Sequence, residues 1–146
     1  MIRGGCLCGA VRFEIDPSAI LLFNFCHCSR CQKRSGSAHT SQLQVVADKF
    51  QWIQGMDSMS WYESSPGVRG PFCSTCGCRL PSYTNQEELV AVPAGLLDGD
   101  PGVRPEINIH CNSAAPWHKL NDSMTSIEGQ GSDEFWRQYM SSRGNT

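Results

Sequence analysis

The residues of this sequence best suited to chemistry lie in the stretch Phe25-Cys26-His27-Cys28-Ser29-Arg30-Cys31-Gln32-Lys33. Alternate side chains of an extended segment share a face, and an x-x spacing wraps a tight loop around a metal, so three thiols can converge on one ion. Structural zinc has four protein ligands, whereas catalytic zinc usually has three and leaves the fourth position to water or substrate. The motif therefore predicts an open zinc site, with Cys26, Cys28 and Cys31 as metal ligands and catalytic residues.

A second cysteine group, Cys73-Ser74-Thr75-Cys76-Gly77, has the zinc-knuckle arrangement. Glycine after the second cysteine lets the backbone turn sharply, so that amides can point at the metal-bound sulfurs. A knuckle supplies only two ligands, and the glycine-bracketed pair Cys6 and Cys8 is the natural source of the other two. These four cysteines predict a closed, structural zinc whose binding energy is folding energy.

The nine cysteines of the chain favour metal ligation over disulfides, because the number is odd and the cysteines are tightly grouped. Cys78 and Cys111 belong to neither predicted set, and we expect both to be buried, inert thiols. Two alternatives stay open at this point. Cys78 could compete with Cys76 for the structural zinc, and Cys111 could close the central site as a fourth sulfur.

An open zinc site suits reactions between a thiol and an aldehyde. The metal would hold a bound thiol as thiolate, the form that attacks an aldehyde carbon, or would polarise the carbonyl oxygen. Arg30, Lys33 and Arg34 lie beside the cluster and predict a substrate-binding group for the carboxylates of a peptide thiol such as glutathione. The alternative for each of them is a basic side chain of a solvated turn.

Histidines near the cluster are weaker candidates. His27 lies between two ligands and is expected to point away from the metal, although it could carry protons near neutral pH. His39 follows the polar loop and either faces the site or is an ordinary surface histidine. His110 and His118 flank Pro116-Trp117, and we expect Trp117 to be a core or pocket-wall aromatic.

Composition predicts a single domain over residues 1–146, since 40% of the 146 residues are hydrophobic. The net charge of −2 is scattered along the chain and gives no reason to expect binding to nucleic acid or to a membrane surface. The sequence has no apolar run that could cross a membrane and no secretory signal, so we expect a cytoplasmic protein.

Period-two alternation, as in Val11, Phe13 and Ile15, predicts an all-β fold with about eight short strands. The predicted strands cover residues 11–15, 20–25, 40–46, 50–53, 59–62, 80–83, 88–94 and 106–111. We expect 50–53 and 59–62 to pair as a hairpin, and a short helical turn to follow Cys31. Ser132 as an N-cap and aromatics at helical spacing predict a C-terminal helix over about 132–142.

The three cysteine motifs, in order, resemble the glutathione-dependent formaldehyde-activating enzyme family, which also includes centromere protein V. The resemblance covers roughly residues 4–120, and a single one of these motifs would not be specific. The matching segments are Gly5-Cys6-x-Cys8-Gly9-x-Val11, Cys26-His27-Cys28-Ser29-x-Cys31-x-Lys33-x-Ser35-Gly36-Ser37-Ala38, Phe72-Cys73-x-x-Cys76-Gly77-x-x-Leu80 and Ala115-Pro116-Trp117.

This resemblance implies a β-tent fold of antiparallel sheets stapled by zinc, with two zinc ions bound as predicted above. It implies a carbon–sulfur lyase that condenses glutathione with formaldehyde to S-hydroxymethylglutathione. Two other functions are compatible with the sequence: an enzyme that uses the same site on another small thiol or aldehyde, and a non-catalytic zinc-stabilised binding module. A basic tail would favour the module, and the chain has none, so we favour the enzyme.

Overall fold

A computed structural model describes residues 1–84 and 86–143 and shows mostly short strands with a short C-terminal helix, which confirms the prediction of a mainly β fold with a C-terminal helix. The strands are β1 (Ile2–Gly5), β2 (Arg12–Ile15), β3 (Ile20–Cys26), β4 (Thr40–Val46), β5 (Phe50–Gln54), β6 (Met59–Ser65), β7 (Val68–Cys73), β8 (Ser82–Thr84), β9 (Leu89–Pro93), β10 (Ile107–Ile109) and β11 (Thr125–Ser126). The helices are α1 (Ser29–Ser35) and α2 (Asp133–Arg143), and neither has the length and hydropathy needed to span a membrane.

The chain forms two compact units. The first contains Met1–Asn24 and Ser41–Glu106, and the second contains Phe25–Thr40 and the chain from Ile107 onward. The prediction of a single domain over residues 1–146 stays a prediction. Each group of cysteines discussed below lies within one unit, so its geometry is described within that unit.

The first unit is built from antiparallel strand pairs. One sheet has the order β1-β2-β5, β6 pairs with β7, and another set of neighbours has the order β3-β4-β9-β8. The alternation read in β2 is present, because Phe13 and Ile15 are fully buried while Arg12 and Glu14 are not. Burial of each such side chain contributes about 1.5–3 kcal/mol. Other fully buried apolar residues of this unit are Val11, Leu43, Val45, Leu80, Val90 and Val92.

The predicted hairpin between residues 50–53 and 59–62 is wrong. β5 pairs instead with β2, and β6 pairs with β7. Aromatic packing favours the observed pairing, since Phe13 stacks on Phe50 at 5.5 Å and meets Trp52 edge to face at 6.2 Å between ring centroids. Gly55, with φ of 85°, and the 3-10 turn that follows it direct the chain away from β5.

The second unit contains the parallel strand pair β10-β11 and both helices. Ser132 is the N-cap of α2, as predicted, because its Oγ accepts a hydrogen bond from the amide of Phe135 at 3.1 Å. The short helix α1 begins at Ser29, so it already contains Cys31. The expectation that helical structure starts only after Cys31 is therefore wrong.

Substitution of Gly55 by alanine tests the turn that separates β5 from β6. Its φ of 85° favours glycine, and an added Cβ would collide with the backbone of Ala10 and Val11. We expect Gly55→Ala to lower the free energy of unfolding by more than about 2 kcal/mol, measured by urea titration of the metal-loaded protein.

Gly67→Ala is the matched control, because Gly67 has φ of 78° but open space around its Cβ position. Its cost should be only the backbone cost of about 1–2 kcal/mol. Equal losses in the two variants would contradict the close packing of Gly55 on the backbone of Ala10 and Val11, directly before β2.

Candidate functional site

Four cysteines of the first unit form a compact sulfur cluster. The Sγ atoms of Cys6, Cys8, Cys73 and Cys76 all lie within 4.8 Å of one another. The distance between sulfurs is 3.6 Å for Cys6 and Cys8, and 3.8 Å for Cys8 and Cys73. Tetrahedral zinc with Zn–S bonds of about 2.3 Å separates its sulfurs by about 3.8 Å. The donor set and its spacing therefore fit a zinc ion with four thiolate ligands.

Backbone amides support this four-sulfur group, as expected for a zinc knuckle. The amide of Val11 donates to the Sγ of Cys6 at 3.3 Å. Hydrogen bonds from the amides of Cys78 and then Cys8 lower the pKa of the Cys76 thiol to about 6. Gly77, with φ of 77°, makes the turn that aims the Cys78 amide. The local backbone thus stabilises thiolate at this position before any metal binds.

The four-sulfur group is continuous with the hydrophobic core of the first unit. Buried Cys6 and Cys73 pack with fully buried Val11 and Leu80, and half-buried Trp52 and Met59 lie against them. A metal held here joins the turn after β1 to the end of β7. This environment suits a structural site, in which burial excludes solvent from two of the ligands.

Cys78 and Cys111 lie outside both sulfur groups of the described chain. Cys78 is half-buried, its Sγ accepts the amide of Leu7 at 3.3 Å, and burial raises its pKa. Cys111 is half-buried as well, and burial raises its pKa. The structure thus brings no fourth cysteine sulfur to the central cluster, and both thiols are half-buried where buried thiols were expected.

Three cysteines of the second unit form the other cluster. The Sγ atoms of Cys26, Cys28 and Cys31 lie within 4.8 Å of one another, and in residues 1–84 and 86–143 no other Cys, His, Asp or Glu joins that group. Cys26 ends β3 and is buried, whereas Cys28 and Cys31 are half-buried at the start of α1. The cluster is therefore reachable from solvent on the helix side.

The start of α1 fixes the position of Cys28. This residue is the N-cap of the helix, and its Sγ accepts the amide of Cys31 at 3.3 Å. A hydrogen bond with Cys31 and burial both raise the pKa of the Cys26 thiol. Three sulfurs so close together become thiolates together only when a cation compensates their charge. The donor set fits a thiophilic metal such as zinc with one coordination position left over.

His27 is fully buried and is not part of the sulfur cluster, in agreement with the expectation that it points away from the metal. Asn108 uses its Nδ2 to donate to the Oγ of Ser126 at 3.2 Å, which leaves its Oδ1 as the acceptor. The Nε2 of His27 lies 2.7 Å from that Oδ1 and therefore donates to it. This hydrogen-bond network places a proton on the Nε2 of His27.

Two further histidines pack against His27. The ring centroid of His39 lies 5.1 Å from that of His27, and the ring of His118 lies 5.6 Å from His27 and 5.5 Å from His39. Burial lowers the pKa of His39, whose ring also stacks on Phe25 at 4.0 Å. No local pattern of the sequence predicts that these three imidazoles lie together.

The remaining candidates are Trp117 and the basic side chains of α1. Trp117 is 73% exposed, so a core position is wrong for it. Its ring centroid lies 6.4 Å from that of His118, and the alternative of a pocket-wall aromatic stays a prediction. Arg30, Lys33 and Arg34 are exposed on α1, with Lys33 and Arg34 in its last turn. Their role in binding carboxylates stays a prediction.

The sequence profile described as glutathione-dependent formaldehyde-activating enzyme matches residues 1–113. A Halomonas elongata protein is 34% identical over 129 residues, covering 82% of this chain and 81% of its own length, and its name provisionally assigns it glutathione-dependent formaldehyde activation. A crystal structure of a Rhodobacter sphaeroides protein is 24% identical, covers 70% of this chain and 91% of its own, and superposes with a TM-score of 0.55. That structural likeness shows a shared fold.

Replacement of Cys73 by serine tests the four-sulfur group. Loss of one ligand should release the metal and lower the melting temperature by about 10 °C or more, because the binding energy of a structural metal is folding energy. Metal content and thermal unfolding under reducing conditions measure both effects. Cys111→Ser is the control, and a normal melting curve with full metal content in Cys73→Ser would refute the assignment.

The histidine cluster predicts a pH dependence of stability. Burial keeps the pKa of His39 below its ordinary value of 6.5, so as pH falls the unfolded chain binds a proton first and the folded state is disfavoured. Its neighbours are His27, His118, Phe25 and the carbonyl of Thr40. Wild-type stability should therefore decline below about pH 6.5.

The variant His39→Phe keeps an aromatic ring against Phe25. The part of the stability loss at low pH that is caused by His39 should be absent in this variant. Urea unfolding at pH 7.5 and pH 5.5 measures the difference for both proteins. The same loss of stability in the variant and the wild type would show that His39 does not contribute to it.

Proposed function

This chain belongs to the glutathione-dependent formaldehyde-activating enzyme family, and we propose that it condenses glutathione with formaldehyde at Cys26, Cys28 and Cys31. The observation that carries this proposal is the cluster of three thiols with no fourth protein ligand in the described chain. Two members of that cluster are half-buried at a helix start rather than sealed in the core. A substrate thiol can therefore complete the set of sulfur ligands.

The reaction needs a sulfur nucleophile at neutral pH. Zinc bound by the three cysteines would supply it, by holding the glutathione sulfur as thiolate beside the three protein sulfurs. The sulfur adds to the carbon of formaldehyde, so a carbon–sulfur bond forms and the carbonyl π bond breaks. The proton lost by the thiol is balanced by the proton gained at the carbonyl oxygen, which gives S-hydroxymethylglutathione. The reverse reaction cleaves the same bond, which is the basis for the lyase class.

The remaining contacts are assigned to side chains of α1. Arg30, Lys33 and Arg34 are exposed around the helix that begins at the cluster. Glutathione carries two carboxylates, and guanidinium groups bind carboxylates through paired hydrogen bonds. We assign these three residues to the recognition of the peptide part of the substrate, where they would raise affinity without taking part in bond formation.

The other elements of the account are a structural zinc, a β-tent fold and a cytoplasmic location. The S···S distances of 3.6 Å and 3.8 Å in the four-sulfur group support zinc as its metal. The antiparallel strand pairs of the first unit support the β-tent fold, as do the positions of Cys6 directly after β1 and Cys73 at the end of β7. Reduced thiols are needed at both sites, and the cytoplasm keeps cysteines reduced.

Replacement of Cys28 by serine tests the proposed function. We expect wild-type protein to accelerate exchange between formaldehyde, glutathione and their adduct, observed by NMR with labelled formaldehyde. Cys28→Ser should lose this acceleration and bind glutathione at least tenfold more weakly, because the zinc loses a sulfur ligand. Its melting temperature should stay near that of the wild type, since the four-sulfur group is intact.

Cys111→Ser is the control, because Cys111 lies in the same unit but outside the cluster. If the wild-type protein accelerates the exchange only with a different small thiol, then that thiol is the substrate in place of glutathione. Global unfolding of Cys28→Ser, with no effect of any thiol on the wild type, would instead identify a second structural metal and a binding module.

A further inference from the structure

His27, the residue between two cysteines of the open cluster, is held on three sides. Its amide donates to the carbonyl of Ile109 at 3.0 Å. Its carbonyl accepts from the Nε2 of Gln32 at 2.8 Å, and its ring Nε2 donates to the Oδ1 of Asn108 at 2.7 Å. Every polar group of this residue except the ring Nδ1 thus has a partner. These hydrogen bonds restrict the conformation of the backbone that carries Cys26 and Cys28.

Gln32 uses its terminal amide as a bridge. Its Nε2 donates to the carbonyl of His27 and to the carbonyl of Ser113, each at 2.8 Å. A primary amide has two N–H bonds on that nitrogen, and both are used here. Gln32 also directly follows Cys31, so the bridge links the ligand on the helix to the two ligands before it.

Asn108 is 1% exposed and lies in the centre of β10. Its Nδ2 donates to Ser126 at 3.2 Å, and this contact orients Oδ1 toward His27. A polar side chain in the middle of a short apolar strand, between Ile107 and Ile109, has no packing advantage over a third apolar residue. Its contacts with His27 and Ser126 give a specific reason for its presence.

We propose that Gln32 and Asn108 are positioning residues for the three-cysteine site. They fix His27 and, through its backbone, the separation of Cys26 and Cys28, so that three mutually repelling thiolates stay arranged for one metal ion. The hydrogen bonds of their side chains go to His27, Ser113 and Ser126. Partners that orient metal ligands in this way typically change metal affinity about 10- to 100-fold when removed. The role in catalysis rests on the function proposed above, whereas the role in metal binding does not.

Gln32→Glu is the sharpest test, because the side chain keeps its length while the donors become acceptors that face two carbonyl oxygens. Gln54→Glu is its matched control, since Gln54 donates through Nε2 to the carbonyls of Gly9 and Ala10 at 3.3 Å and 3.4 Å. Zinc affinity is measured by competition with a chromogenic chelator, which removes zinc from the two sites in separate steps. The step that is lost in Cys28→Ser belongs to the open site. The step of the four-sulfur site is the internal reference.

We expect Gln32→Glu and Asn108→Ala to weaken zinc binding at the open site about 10- to 100-fold. Both should also alter the sulfur-to-metal charge-transfer band of the cobalt-substituted protein. Asn108→Asp, which keeps the acceptor for His27, should restore most of the affinity. Gln54→Glu should leave the open site unchanged. Should Gln32→Glu fail to fold, the Asn108 pair tests the same proposal by itself.

Wild-type zinc affinity and spectrum in both Gln32→Glu and Asn108→Ala would overturn the proposal. Equal weakening in Gln54→Glu, or in Asn108→Asp and Asn108→Ala alike, would overturn it as well, because the effect would not depend on these hydrogen bonds. A wild-type protein inactive with glutathione and formaldehyde would refute the proposed function only. The affinity measurements would still test the positioning role.

Discussion

The mutual repulsion of closely spaced thiolates is the constraint on which both candidate sites depend. Seven cysteine sulfurs occupy two groups whose members lie within 4.8 Å of one another, and such groups are stable as thiolates only around a cation. In the first unit backbone amides lower the pKa of Cys76 to about 6, whereas burial and the neighbouring sulfurs raise the pKa of Cys8 to about 12. In the second unit the pKa of Cys26 is raised as well. Each group therefore needs a metal ion to hold all of its sulfurs as thiolates.

The two groups differ in the number of their sulfur ligands, in agreement with the different roles proposed for them. The four-sulfur group has two members in the core, next to Val11 and Leu80, and a complete set of ligands. The three-sulfur group lies where a strand ends and a short helix begins, with two half-buried members. Each group has two members that are not buried, so the number of ligands distinguishes the groups: four sulfurs complete a structural shell, whereas three leave a position for a substrate sulfur.

Cysteine spacing was sufficient to predict both sulfur groups, because C-x-C and C-x-x-C restrict the backbone locally. Strand positions also followed from alternation, as the burial of Phe13 and Ile15 shows. The pairing of β5 was not predictable, since it depends on the contact of Phe50 and Trp52 with a strand far away in the sequence. Gln32 was missed for the same reason, because its two acceptors lie in separate segments and no local pattern marks a bridging amide.

X-ray absorption at the zinc edge tests most directly the claim that one site is closed and the other open. With both sites loaded and no thiol present, the number of sulfur ligands per zinc should average between three and four, with a light atom completing the open site. Addition of glutathione should raise the average to four sulfurs and remove the light atom. Four sulfurs per zinc before the addition, or an unchanged spectrum after it, would contradict the account.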